Sequence, residues 1–266
     1  MDFFSIASGS SGNCICVGDD STHVMIDAGI SGKRIEAGMN KYNYTTADMA
    51  GLLITHEHSD HVSGLGVISR KYHIPIYATA ATIRAIRSQK SLGNIDDTLF
   101  HVIYPDQDFT LGSLTIHPFH ISHDAADPVA YRIENIRSKV AVCTDLGYYD
   151  DYIIDNLTGL DAMLLEANHD IHMLEVGSYP YQLKQRILSD HGHLSNEASG
   201  QLLCKVLNDN IKHIFLGHLS HENNYPDLAY ETVNLEINMD GSIPYKGKDF
   251  DITVASRTDV SQRVII

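Results

Sequence analysis

The stretch Thr55-His56-Glu57-His58-Ser59-Asp60-His61 constrains this chain more than any other part of it. It follows Gly51-Leu52-Leu53-Ile54, an apolar run that reads as a short buried strand. Three histidines and an aspartate crowded together at the end of such a strand make a poor core, because each polar group taken from water needs a partner. They make a good metal site, since imidazole and carboxylate suit zinc, manganese or iron. A tight turn after the strand points His56 and His58 at one ion and Asp60 and His61 at a second. Two ions about 3.5–4 Å apart form the usual clamp for hydrolysing phosphate esters. A His-rich solvated loop is the simpler alternative. The H-x-H-x-D-H spacing, and further candidate ligands at strand ends downstream, favour the metal site.

Those further candidates share one pattern, an apolar run that gives way to an acid or a histidine. Leu114–His123 carries three histidines, and parity along an unbroken strand puts His117 and His123 on one face and His120 on the other. His123 stands where the apolar run yields to polar residues, so it is the preferred ligand. Val140-Ala141-Val142-Cys143-Thr144 ends at Asp145, whose two carboxylate oxygens suit it to bridge two metals. Met163-Leu164-Leu165 ends in Glu166-Ala167-Asn168-His169. Gly-His-Leu-Ser occurs twice, and only the second copy follows a strand, so His218 is the expected ligand. His193 instead precedes a helix with Ser195 as N-cap and Ala198, Leu202, Leu203, Val206 and Leu207 along one face. A helix N-terminus favours an anion, which suits His193 to a phosphate or its leaving oxygen; a capped loop histidine is the alternative.

Val24-Met25-Ile26 ends in Asp27, expected to brace the metal loop as an acceptor rather than to bind metal. Ser8-Gly9-Ser10-Ser11-Gly12-Asn13 lacks the Gly-Lys-Ser/Thr ending of a nucleotide-binding loop. It reads as a glycine turn in a hairpin, with an anion nest as the alternative. Ser10, Ser11 and Asn13, with His193 and Ser195, are the candidate substrate contacts. A helix over Leu65–Tyr72, a strand over Ile74–Ala78 and a basic helix through Thr82–Lys90 continue a strand–helix alternation that marks an α/β chain. The basic cluster reads as a solvated face, with contact to substrate as the alternative. No linker separates a second domain. Residues 1–266 are expected to form one domain, with 239–266 a C-terminal β-rich tail that pairs with a sheet edge or a partner subunit in a homo-oligomer.

Composition narrows the class. Hydrophobic content of 43% and charged content of 20% are ordinary for a soluble globular protein. Met1-Asp2-Phe3-Phe4 lacks the basic and apolar regions of a signal peptide, and Cys14, Cys16, Cys143 and Cys204 are too scattered for a disulfide framework. Cytoplasm is the expected compartment. A net charge of −15 argues against broad non-specific adhesion to nucleic acid. It leaves a phosphate substrate open, because two bound dications reverse the local sign.

Taken together, Asp27, His56, His58, Asp60, His61, His123, Asp145 and His218 resemble the metallo-β-lactamase superfamily. The resemblance implies a four-layer αββα sandwich. It also assigns His56, His58 and His123 to one metal, Asp60, His61 and His218 to the other, and Asp145 as the bridge. A narrower resemblance, to the YycJ/WalJ-type branch, rests on four stretches: Phe4–Asn13, His123-Asp124-Ala125-Ala126-Asp127-Pro128, Gly192–Asn196 and Gly217–Asn224. That branch implies a DNA exonuclease with a preference for a 5′ end. Too few residues separate Asp145 from His218 to hold the extra domain of a β-CASP nuclease.

The expected reaction is phosphodiester hydrolysis by a hydroxide shared between two zinc or manganese ions. Asp60 orients the hydroxide, and His193 holds the phosphate or protonates the leaving oxygen. A small-molecule or cyclic-nucleotide phosphodiesterase is the alternative. A glyoxalase-II-like thioesterase is disfavoured by Ile121-Ser122-His123-Asp124, where that type carries Thr-Pro-Gly-His-Thr. A non-catalytic, metal-dependent nucleic-acid binder is the most distant reading, because all seven ligands are kept.

Overall fold

The computed structural model describes residues 1–266. In chain order the first elements are β1 (Asp2–Ala7), β2 (Cys14–Gly18), β3 (His23–Ile26), α1 (Gly32–Lys41), β4 (Gly51–Leu53), α2 (Ser59–Val62), α3 (Leu65–Tyr72), β5 (Ile76–Thr79) and α4 (Ala80–Ser88). There follow β6 (Phe100–Ile103), β7 (Phe109–Leu111), β8 (Leu114–His120), β9 (Val129–Glu134), β10 (Lys139–Cys143), α5 (Asp151–Leu157), β11 (Ala162–Glu166), α6 (Ile171–Val176) and α7 (Tyr181–Ile187). The chain closes with α8 (Asn196–Val206), β12 (His213–Gly217), α9 (Pro226–Met239), β13 (Asp251–Val254) and β14 (Val264–Ile265). These elements fall into two compact units. One comprises Met1–His120, Ala125–Arg137 and Ser256–Ile266; the other comprises Ile121–Asp124 and Ser138–Ala255.

The first unit is built on a mixed sheet of order β14-β1-β2-β3-β4-β5-β6. Pairing is antiparallel from β14 to β3 and parallel from β3 to β6. Parallel neighbours need long crossovers, and α1, α3 and α4 supply them. Their apolar stripes cover the sheet: Ile35 and Met39 of α1, Leu65 and Ile68 of α3, and Ile83 and Ile86 of α4 join Phe4, Ile6, Met25 and Leu52 in one core. At Gly38 of α1 an added Cβ would sit 2.4 Å from Ile6, so only glycine lets this helix lie so close to β1. β7, β8 and β9 add an antiparallel meander. The strand expected over Ile74–Ala78 starts two residues later, at Ile76. Pro75 has no N–H to give a ladder.

In the second unit β10, β11, β12 and β13 pair in parallel, in that order. Val140–Cys143, Ala162–Leu165 and Ile214–Leu216 are all buried. That is why these strands read as unbroken apolar runs rather than alternating ones. Ser195 caps α8 as expected, its Oγ accepting from Ala198 N at 3.2 Å. Gly200 lets α8 press on α9, where a Cβ would meet Glu236 at 2.5 Å. The tail beyond Met239 supplies two strands: β13 pairs with β12, and β14 pairs with β1. No helix is long and apolar enough to cross a membrane.

Candidate metal centre

β3 and β4 run parallel, so their carboxyl ends share one edge of the sheet, where α/β folds place ligands. Asp27 follows β3 with φ 60, in the left-handed region that non-glycine residues rarely adopt. This turn aims its buried carboxylate at the loop after β4. Oδ1 accepts from Thr55 N at 2.9 Å, while Oδ2 accepts from Thr55 Oγ1 at 2.8 Å and from His61 Nδ1 at 2.7 Å. Burial raises the Asp27 pKa above the ordinary carboxylate range, against the pull of His61 and Thr55. With its Nδ1–H donated to Asp27, His61 carries its lone pair on Nε2. Thr55 Oγ1, already donating to Asp27, accepts from His56 Nδ1 at 3.0 Å and fixes the same tautomer there. Locking of the non-ligating nitrogen by a carboxylate or hydroxyl is the usual support for a metal-binding histidine.

Asn13 fastens the Ser8–Asn13 loop to this turn. Its amide donates to Asp60 O at 2.8 Å, and its Nδ2 lies 3.2 Å from His61 Nε2. Ser10 and Ser11 are exposed, whereas Asn13 is fully buried. The seat is tight. A Cβ on Gly29 would lie 1.6 Å from Asp60 O and 2.7 Å from Asn13 N, both backbone atoms. Gly29→Ala is therefore expected to cost about 3 kcal/mol through overpacking. It should also lower metal content by displacing Asp60 and His61. Thermal unfolding and elemental analysis of the purified variant check this, and a wild-type melting point would refute it.

In the second unit the parallel strands β10, β11 and β12 likewise bring their carboxyl ends to one edge. Asp145 and His218 leave it with φ 60 and 57, while Glu166 ends β11 itself. The pairing of Glu166 with Gly217 sets His218 beside the Glu166 carboxylate. Glu166 is fully buried and fully engaged. Oε1 accepts from His193 Nδ1 at 2.9 Å and from His218 Nδ1 at 2.8 Å; Oε2 accepts from the amides of Leu146 at 2.9 Å and Leu194 at 3.1 Å. Burial alone would raise its pKa, but the two imidazoles outweigh that and hold the carboxyl below the usual range. Burial lowers the His193 pKa, yet Glu166 and Asp145 more than reverse this, so the net shift is upward. Burial shifts His123 downward and keeps it neutral, as a ligand must be.

Asp145 Oδ1 lies 3.6 Å from His123 Nε2 and 3.5 Å from His218 Nε2. Two atoms each about 2.1 Å from one tetrahedral ion lie about 3.4 Å apart, so the spacing fits shared coordination. His123 Nδ1 meets Gly192 O at 3.1 Å, which leaves its lone pair on Nε2. Asp145, Glu166, His193 and His218 also form a group compact enough to surround one ion. The short Nδ1 contacts to Glu166 read instead as charge-assisted hydrogen bonds, since an ion there would compete with both. The donor sets of both units, neutral imidazole Nε2 and carboxylate, suit a divalent metal.

Of the residues expected from the sequence, Asp27, His56, His58, Asp60 and His61 lie in the first unit, with the His56 and His58 ring centroids 4.6 Å apart and Asp60 Oδ2 3.5 Å from His61 Nε2. His123, Asp145, His193 and His218 lie in the second, and the exposed Ser10 and Ser11 stand outside both sets. Three qualifications apply. β8 ends at His120, so strand parity stops before His123 and gives no reason for it to share a face with His117. His117 pairs with Asp108 at 2.5 Å and His120 with Asp127 at 3.7 Å, leaving His123 as the one beside Asp145. Ser195 spends its hydroxyl on capping α8. Glu166 and Asn168 were not anticipated as site residues. Asn168 Nδ2 donates to His218 O at 2.8 Å and holds the turn that carries this candidate ligand. The signal for Glu166 was present, an acid ending an apolar run as at Asp27 and Asp145.

Known proteins resemble this chain in sequence and in fold. The β-lactamase superfamily domain matches residues 22–214. The chain is 41% identical over 234 residues to exodeoxyribonuclease YycJ of Bacillus anthracis, covering 88% of each protein. It is 39% identical over 258 residues to exodeoxyribonuclease WalJ of Streptococcus pneumoniae, covering 97% of this chain and 96% of that one. Among solved structures, the metallo-β-lactamase fold protein YhfI of Bacillus subtilis aligns over 99% of this chain and 98% of its own, with TM-score 0.71 at 16% identity. The αββα fold class expected from the sequence is thus the fold of this chain, two mixed sheets with their helices. The chain belongs to the metallo-β-lactamase superfamily and, within it, to the YycJ/WalJ-type proteins.

Proposed function

We propose that this chain is a metal-dependent exodeoxyribonuclease that digests DNA from the 5′ end, with residues 1–266 acting as one catalytic domain. His56, His58 and His123 would hold one divalent ion and Asp60, His61 and His218 a second, with Asp145 shared; zinc and manganese both suit these donors. When bound, such ions supply Lewis acidity and lower the pKa of water to about 7. The remaining work falls to the side chains. Asp27 and Glu166 keep His61 and His218 in the Nδ1–H tautomer, which leaves the Nε2 lone pair for a metal. Asp60 orients the attacking water. His193, with Nδ1–H held by Glu166 and its pKa raised, presents a protonated Nε2 to a phosphate oxygen or the leaving oxygen.

The observation that carries this reading is identity of about two residues in five with proteins named as exodeoxyribonucleases, sustained over 97% of this chain in the case of WalJ. The test is digestion of end-labelled single- and double-stranded DNA and RNA, bearing 5′-phosphate or 5′-hydroxyl, with zinc or manganese. A His61→Ala control runs alongside. Stepwise shortening of DNA from the 5′ end, absent in the control, is the expected result. Turnover of bis(p-nitrophenyl) phosphate or a cyclic nucleotide with no cleavage of polymers would replace DNA by a small phosphodiester.

A further inference from the structure

A strongly acidic chain that acts on a polyanion needs somewhere to hold it, and one surface stands apart. Of the 34 acids in the sequence, none falls within residues 62–95, a stretch that contains Arg70, Lys71, Arg84, Arg87 and Lys90. Three of these cations are occupied within the first unit. Lys71 pairs with Glu36 at 2.7 Å, and Arg70 Nη1 donates to Leu92 O at 2.8 Å. Arg87 pairs with Asp97 at 2.8 Å and lies over the Phe100 ring. Arg84 and Lys90 are exposed and meet no carboxylate. α4 buries Ile83 and Ile86 and turns Arg84, Arg87 and Ser88 to solvent, so the cations form a ridge on its outer face. Lys90 opens a short 3₁₀ turn just past the helix.

This ridge is fastened to the metal loop. Gln89, which ends α4, donates through Nε2 to the backbone oxygen of Glu57 at 2.6 Å. Glu57 lies between His56 and His58. The C-terminal end of the ridge is therefore held at the candidate ligands, and the ridge extends from there along α4. Arg84 and Gln89 are five positions apart, which at about 1.5 Å per residue is about 7.5 Å. A nucleic-acid strand advances about 3.4 Å per phosphate along a helix, so the ridge spans about two phosphates.

We infer that the exposed ridge formed by Arg84 and Lys90 holds the sugar-phosphate backbone of the DNA strand being digested, next to the nucleotide at the metal centre. The inference rests on the exodeoxyribonuclease reading and adds the surface that grips the polymer. Charge complementarity selects the occupant: two unpaired cations beside the site, on a protein whose net charge is −15.

The test uses the full-length, metal-loaded protein and its Arg84→Ala/Lys90→Ala double variant. KM is measured on single strands of increasing length, and log KM is followed against log salt on the longest. For wild type, KM falls as the strand lengthens. For the double variant most of that gain is lost, kcat changes little, and the salt slope drops by about 1.4, at about 0.7 per phosphate contact on a single strand. The charge-conserving Arg84→Lys/Lys90→Arg variant restores the length effect. Unchanged KM and slope in the double variant, while wild type digests DNA, overturns the ridge and leaves the nuclease reading standing. Unchanged KM with an altered sedimentation coefficient overturns it in favour of a contact with a second copy of the chain. A wild-type protein that digests no DNA withdraws both readings together.

Discussion

His193→Ala is expected to bind its full complement of metal and to lose about 10²–10⁴ in kcat, the usual contribution of a positioned general acid. His193 is not among the proposed ligands, and Glu166 retains His218 Nδ1 and two amides as donors when His193 is gone. The pH profile adds a second readout. The His193 pKa is raised, so its imidazolium persists above the ordinary histidine range and is lost as pH rises through the shifted value. Wild-type turnover should fall on that alkaline side, and the variant should lack this limb. Full activity in His193→Ala, or loss of metal along with turnover, would remove His193 from the chemistry.

Glu166→Gln should do more damage from further away. The carboxylate accepts four hydrogen bonds while wholly buried, and a carboxamide offers one acceptor oxygen and an N–H₂ that faces other donors. Either both histidines or both amides lose their partner. Removing one member of a buried charged network costs about 3–5 kcal/mol. Loss of the acceptor behind a ligating histidine weakens metal binding about 10–100-fold. The effect on acid stability can be signed. The Glu166 pKa is lowered in the folded state, so its contribution is complete above the ordinary glutamate value of about 4.3. It is lost as pH falls from there through the folded value. Metal-free wild type should lose stability steeply over that acid range, and metal-free Glu166→Gln should be less stable at neutral pH and flatter below. Titration of metal affinity and chemical unfolding at several pH values measure both effects. A variant matching wild type in both would reduce Glu166 to a filler of space.

Much of this was legible because parallel strands compress information. A strand buried on both faces must be apolar throughout, so a polar residue at its end stands out. Asp27, His56, Asp145 and His218 were found in this way. Glu166 obeyed the same rule, yet its task depends on register. Only the pairing of Glu166 with Gly217 sets it beside His218, and only the 2.9 Å approach of His193 Nδ1 makes the carboxylate shared. No spacing in the sequence encodes either fact. The histidines of 117–123 show the limit of period-2 reasoning: parity holds only along an unbroken strand, β8 stops at His120, and it is the strand end that singles out His123. Helices α6 and α7, of six and seven residues, are too short to establish a helical period.

The backbone of Asp27, Asp145 and His218 carries a different lesson. All three hold φ near 60 without being glycine. Such conformations cost on the order of 1–3 kcal/mol each and persist only where the surroundings impose them. Natural proteins sit close above a stability threshold, and selection for function keeps in place what selection for folding alone would discard. The site is then an inheritance that each generation must defend. In a lineage no longer under selection for activity, drift toward glycine at Asp145 and His218 would relax the backbone and erase two of the proposed metal ligands at once. Decay of the activity would therefore leave its first trace at the strand ends, in a chain whose core still looked intact.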